Sequence, residues 1–311
     1  MISNKQVIGD VLLQAASEDK DIVVLCSDSR GSGSMTEFAE RFPGQFVETG
    51  IAEQDLVGIS AGLASCGKKV FAVSPASFLT TRSMEQIKVD VAYSHVNVKL
   101  IGVSGGISYG ALGMTHHSVN DISVIGSIPG MRVFLPSDPV QTRCLMEALL
   151  QDEEPAYIRV GRNPVPALYG EESVPFAFNK AAVLQEGNDL AVIACGELVK
   201  VAQLAGKKLK EEGVSTRVLD MYCVKPIDEE AIGKAASECR AILTVEEHVG
   251  WGGLGSCVAR IVCASCPCPV HSLHLPDRPV VSGSQSQVFD YYGLNVEGVL
   301  KGARMLLEKV R

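Results

Sequence analysis

Apolar residues along the chain fall into two patterns. Val7, Ile8, Val11, Leu12 and Ala15 recur at helical spacing behind Ser3 and Asn4, either of which can cap a helix. Residues 22–26, Ile-Val-Val-Leu-Cys, are apolar without a break, as in a strand buried on both faces. The two patterns then alternate. Strands are predicted at 46–47, 69–73, 98–103, 131–135 and 156–160, with helices at 35–41, 54–66, 84–93 and 139–150. Residues 162–178 carry Pro164, Pro166 and Pro175 and show no period, which is a linker signal. The rhythm resumes with strands at 190–195, 216–219, 241–245 and 270–273, and helices at 198–212, 229–236, 253–262 and 296–310. This alternation predicts an α/β fold, two doubly wound domains with mainly parallel sheets. The expected division is residues 1–165, a linker at 166–188, and residues 189–311.

The 311 residues are 46% hydrophobic and 21% charged, enough to bury a sizeable core and too apolar for disorder. A net charge of −8 with no basic cluster argues against nucleic acid and anionic membranes as partners. No apolar run reaches the ~18 residues of a bilayer span. Residues 1–6 lack the basic start and apolar centre of a secretory signal, so a cytoplasmic location is expected. The ten cysteines are scattered, which suits free thiols. Cys263, Cys266 and Cys268 lie close together, but zinc wants four ligands and no second pair follows.

Four polar features stand out, each just after a predicted strand. Glu53 follows strand 46–47 and the break at Gly50, and opens a helix rich in Ala and Gly. A carboxylate there borders the crevice where open α/β sheets bind ligands. It equally suits an acidic residue at a helix start. Asp28 enters a loop of small residues, 27–34, able to admit a ligand close to the backbone or simply to turn. Phe78 follows strand 69–73 and offers either a stacking surface for a flat heterocycle or a core contact. Residues 105–117 form a glycine-rich loop ending in His116 and His117, for which proton transfer or hydroxyl binding is the economical reading. The common dinucleotide, P-loop and zinc-protease motifs are absent.

Five stretches in order, Glu48-Thr49-Gly50-Ile51-Ala52-Glu53-Gln54, Ser77-Phe78-Leu79, Gly113-Met114-Thr115-His116, Phe134-Leu135-Pro136-Ser137-Asp138 and Val245-Glu246-Glu247-His248 with Gly252-Gly253-Leu254-Gly255, carry a resemblance. The chain resembles the C-terminal half of transketolases, with similarity to deoxyxylulose-phosphate synthases and to the beta subunits of pyruvate dehydrogenase-type decarboxylases. The resemblance implies a thiamine diphosphate pyrimidine-binding domain followed by a transketolase C-terminal domain. It implies that Glu53 hydrogen-bonds N1′ of the cofactor's aminopyrimidine, that Asp28, Ile51 and Phe78 also line the cofactor, and that His116 contacts the donor. Arg162 would hold the substrate phosphate, with Ser32 beside it, while Arg30 and Arg82 add positive charge near the pocket.

The family's Gly-Asp-Gly metal and diphosphate signature is missing. The resemblance therefore implies one half of a split enzyme with no metal ligands of its own. An N-terminal transketolase subunit would supply diphosphate binding and Mg2+ or Ca2+, in a heterotetramer. Leu112 stands where the family loop usually carries a sugar-reading Asp, and a further family His aligns with Ser104. These departures point toward unusual ketose donors, such as apulose 4-phosphate or a sulfofructose, with an aldose phosphate as acceptor. Two rival readings are the beta subunit of a 2-oxo acid dehydrogenase and a non-catalytic assembly subunit.

Overall fold

The structure, a computed structural model, describes residues 1–170 and 176–310. Pro175 and part of the expected linker therefore lie outside the described residues. The first sheet contains β1 (Ile22–Cys26), β2 (Phe46–Glu48), β3 (Lys69–Pro75), β4 (Val98–Val103), β5 (Arg132–Phe134) and β6 (Ala156–Arg159). The second contains β7 (Ala182–Gln185), β8 (Leu190–Ala194), β9 (Thr216–Asp220), β11 (Ile242–Val249) and β12 (Val270–Leu275). Between β9 and β11 in sequence lies β10 (Cys223–Lys225), which joins the first sheet.

The first sheet runs β10-β5-β6-β4-β3-β1-β2, parallel except for β10. The second runs β12-β11-β8-β9-β7, parallel except for β7. This is the expected α/β architecture. Parallel strands need helical crossovers that cover both faces, which is why β1 is buried throughout. Its side chains alternate between two cores, Val23 and Leu25 on one face, Val24 and Cys26 on the other. The first of those cores continues without a break into Ile193, Leu219, Ile242 and Leu254 of the second unit. The two units thus share hydrophobic packing as well as β10.

Four departures from the sequence reading have local causes. β7 falls inside the span read as linker, because an edge strand with one exposed face lacks a buried run. β10 is only three residues long, too short for a period. The expected helix at 84–93 becomes Met84–Gln86 followed by a π-helical turn, Ile87–Tyr93. The helix Gln285–Tyr292 escapes the apolar periodicity, although Ser284 and Gln287 form a capping box. Among the described residues no helix is long and apolar enough to cross a membrane.

The strand order places the polar features side by side. β2, β1, β3 and β4 are consecutive neighbours, and Glu53, Asp28, Phe78 and His116 follow their respective carboxyl ends. Arg162 follows β6, the next strand after β4.

Candidate active site

The site begins where β1 and β2 end. Asp28 has φ +52°, in the left-handed region that Asp tolerates better than most residues. Its N–H donates to Glu48 Oε1 at 2.7 Å, and Gly50 N–H donates to the same oxygen at 3.2 Å. Glu48 thereby ties the 27–34 loop to the turn before Glu53. Gly50, at φ +70°, permits that turn. Ser27 Oγ shares a 2.7 Å hydrogen bond with Ser74 Oγ, and Ser29 Oγ donates to Val73 O at 2.8 Å, anchoring the loop to β3.

Glu53 starts the helix Glu53–Ser65 and is only 4% exposed. A carboxylate so buried needs a partner. Arg82 provides it, with Nη1 at 3.0 and 3.2 Å from the two carboxylate oxygens. Arg82 was expected to add positive charge at the substrate end of the pocket; its guanidinium is hydrogen-bonded to Glu53. It also lies 4.3 Å from the centroid of the Phe78 ring, a cation–π distance. Ile51 is 74% exposed and, with Glu53 and Arg82, lines a cavity of about 430 Å³.

From Phe78 the contacts continue in one line. The His116 ring meets Phe78 edge-on at 5.2 Å and Tyr109 at 5.5 Å. Thr115 Oγ1 lies 2.9 Å from His116 Nδ1, leaving Nε2 without a partner among the described residues. Arg162 stacks over Tyr109 at 5.3 Å. Glu53, Arg82, Phe78, His116, Tyr109 and Arg162 therefore form an unbroken series, with a carboxylate at one end and an exposed guanidinium at the other.

The cationic end holds a residue that sequence reasoning missed. Lys5 Nζ donates to Ser32 O at 2.7 Å. Burial, and then the positive charge of Arg162, lower the Lys5 pKa. Two cations that feel each other's charge favour an anion nearby. The overlooked signal was a lysine in the first turn of the helix Asn4–Glu18, where the helix dipole disfavours positive charge. Arg30 is exposed on the same loop as Ser32 and makes no ion pair among the described residues. Leu112 is 52% exposed, and Ser104 is buried with φ +57° and an unpartnered Oγ.

A second charged group lies beneath the 105–117 loop, where the two sheets meet. Arg159 is buried between Asp121, at 3.4 Å, and Glu247, at 3.3 Å, and Tyr157 donates to Asp121 at 2.6 Å. Glu197 adjoins them with Oε1 buried and unpartnered. Burial, and then the negative charge of Glu247, push its carboxyl up to about 8 from an ordinary 4.5. Between those two values the folded chain holds more protons than the unfolded chain, so this group lowers stability as pH rises through that window. Glu197→Gln mimics the protonated carboxyl. It is expected to raise the melting temperature at pH 8.5 by at least about 2 °C, an advantage that shrinks toward pH ~4.5. Melting curves of the two proteins across that range check it.

Among the described residues no three His, Cys, Asp or Glu side chains converge on a metal-sized site. Glu246 is used structurally, accepting the N–H groups of Leu254 and Gly255 at 2.7 and 2.8 Å at the start of the helix Leu254–Ser265.

Comparison with known proteins places this geometry. The family model for the transketolase pyrimidine binding domain matches residues 1–167, and that for the transketolase C-terminal domain matches residues 179–299. The chain belongs to the transketolase family. It is 50% identical over 309 residues to an apulose-4-phosphate transketolase subunit of Phocaeicola vulgatus, covering 99% of each chain. It is 34% identical over 300 residues to a 6-deoxy-6-sulfo-D-fructose transketolase subunit of a Clostridium species, covering 96% of this chain and 93% of that one. A solved structure described as a split gene transketolase, inactive beta4 tetramer, superposes with a TM-score of 0.90 at 35% identity, covering 100% of both chains. Family membership carries a pyrimidine-binding domain, hence thiamine diphosphate as the family's cofactor.

Proposed function

We propose that this chain is the pyrimidine-side subunit of a two-chain transketolase that moves a two-carbon ketol unit from a ketose phosphate to an aldose phosphate. Residues 1–165 would form the pyrimidine-binding unit and 189–311 the C-terminal unit. The observation that carries the reading is the continuous series from Glu53 to Arg162, which offers a ring-binding end and an anion-binding end. The site fits an aminopyrimidine: a buried carboxylate already hydrogen-bonded to a donor lies next to a half-buried aromatic ring. When bound, thiamine diphosphate supplies the carbon nucleophile that accepts and releases the two-carbon unit.

In this reading Glu53 hydrogen-bonds N1′ and lets a proton move at that ring nitrogen. Phe78 holds the ring by its face, and Asp28 and Ile51 border it. His116 Nε2 hydrogen-bonds the donor's reacting hydroxyl, its ring held by Phe78, Tyr109 and Thr115. Arg162, Lys5 and Ser32 hold the terminal phosphate or sulfonate, with Arg30 adding field. Arg82 keeps the Glu53 carboxylate oriented. The diphosphate and its Mg2+ or Ca2+ fall to an N-terminal partner subunit, in a heterotetramer. Apulose 4-phosphate is the donor favoured by the relative at 50% identity. Exposed Leu112 offers no hydrogen bond to a sugar hydroxyl, which suits such a departure from ordinary pentose phosphates.

Mixing decides the split. The purified chain alone is expected to show no transfer, and the complex with its partner chain is expected to convert apulose 4-phosphate plus an aldose phosphate. Robust turnover by the single chain, or turnover only with a 2-oxo acid and a lipoyl domain, overturns the proposal.

A further inference from the structure

Glu247, on β11 of the C-terminal unit, reaches the base of the loop that carries His116. Its Oε1 accepts the N–H of Ile107 at 2.8 Å. Its Oε2 lies 3.3 Å from Arg159 Nη2, which also donates to Glu247 O at 2.9 Å. Two glycines make room for this approach. A Cβ on Gly105 would strike the Arg159 side chain, and one on Gly106, at φ +59°, would strike the Glu247 carboxyl. Gly106 and Ser118 exchange backbone hydrogen bonds of 3.0 and 2.7 Å, closing the loop at this neck. On the far side Gly283 N–H donates to Gly110 O at 3.3 Å. Gln285 makes the second link. Its Nε2 donates to Glu247 Oε1 at 3.3 Å, and its Oε1 accepts from Asn163 Nδ2, the neighbour of Arg162, at 2.7 Å.

We propose that Glu247 and Gln285 are positioning residues through which the C-terminal domain sets the separation between His116 and Arg162, and with it the length of donor the site accepts. The proposal rests on the transketolase reading above. His116 addresses the reacting end of the donor and Arg162 its anionic end, and the two sit on different segments of the first domain. The Glu247–Gln285 pair is bonded to both segments at once. Loss of the Glu247 oxygen would leave the Ile107 N–H unpaired at the neck of the loop.

The test uses the two-chain complex with two donors, apulose 4-phosphate and hydroxypyruvate, the second ending in a carboxylate directly beside its carbonyl and so too short to reach Arg162. Gln285→Ala is expected to lower kcat/KM for apulose 4-phosphate about tenfold while leaving hydroxypyruvate within about twofold. Equal loss on both donors, or loss on neither, overturns the ruler. Glu247→Ala is expected to slow both donors and to speed amide hydrogen exchange across residues 105–117 by about tenfold or more, and Glu247→Gln, which keeps an acceptor oxygen, is expected to restore protection. Should the alanine variant fail to fold, Glu247→Asp, one methylene shorter, gives the same exchange readout. Unchanged exchange in the 105–117 segment overturns the brace whether or not the wild-type complex transfers ketol units. Absence of transfer by the wild type is instead the failure of the functional reading.

Discussion

Glu53→Gln, in the complex with the partner chain and with saturating cofactor, is expected to lower kcat by about two to four orders of magnitude. The amide is nearly isosteric with the carboxylate, so the cavity with Ile51 and Arg82 keeps its shape. It retains one oxygen for Arg82, and Arg82 is 50% exposed, so little stability depends on the exposed side of that pair. What the amide cannot do is share a proton with a ring nitrogen. The loss should therefore fall on turnover, with the melting temperature close to that of the wild type. Steady-state transfer rates and melting curves on the same preparations check both halves. A variant that keeps its rate would remove Glu53 from the chemistry, whatever its position.

Arg162→Ala is expected to raise KM for a phosphorylated donor about 10- to 100-fold with a small change in kcat, the size of one or two charge-assisted hydrogen bonds. Arg162→Lys should recover little, because the guanidinium stacks on Tyr109 and presents a planar fork that an ammonium lacks. Lys5→Ala should act on the same KM. The double variant should lose less than the sum of the two losses, since both cations would hold one anion. Raised ionic strength should weaken phosphorylated donors in the wild type more than in the variants. Initial-rate kinetics with one donor at two salt concentrations check these outcomes.

Much of the candidate site was legible along the chain, for a physical reason. Asp28, Glu53, Phe78 and His116 each follow an apolar run, and in a parallel sheet the carboxyl ends of all such runs lie on one edge. Residues that follow strands are therefore already neighbours. Arg162 obeys the same rule, following β6. Lys5 escaped because it precedes its strand, on a helix whose periodicity described only the apolar side. Glu48 lay just past the strand predicted at 46–47 with no role read for its side chain, and its use of Asp28 and Gly50 depends on the pairing of β1 with β2. Arg82 read as a free charge, and only folding showed Glu53 taking it.

The sequence by itself determined the α/β class, the parallel sheets and the edge on which the polar groups gather. Those follow from local periodicity and from the covering that parallel strands require. Tertiary structure alone decided how the two units are joined: β10 crossing into the first sheet, a core shared between them, and Glu247 meeting Ile107 across 140 residues of chain. These contacts are set by register and by the relative placement of whole elements. No window of sequence encodes them, because their energy exists only once both partners have already folded.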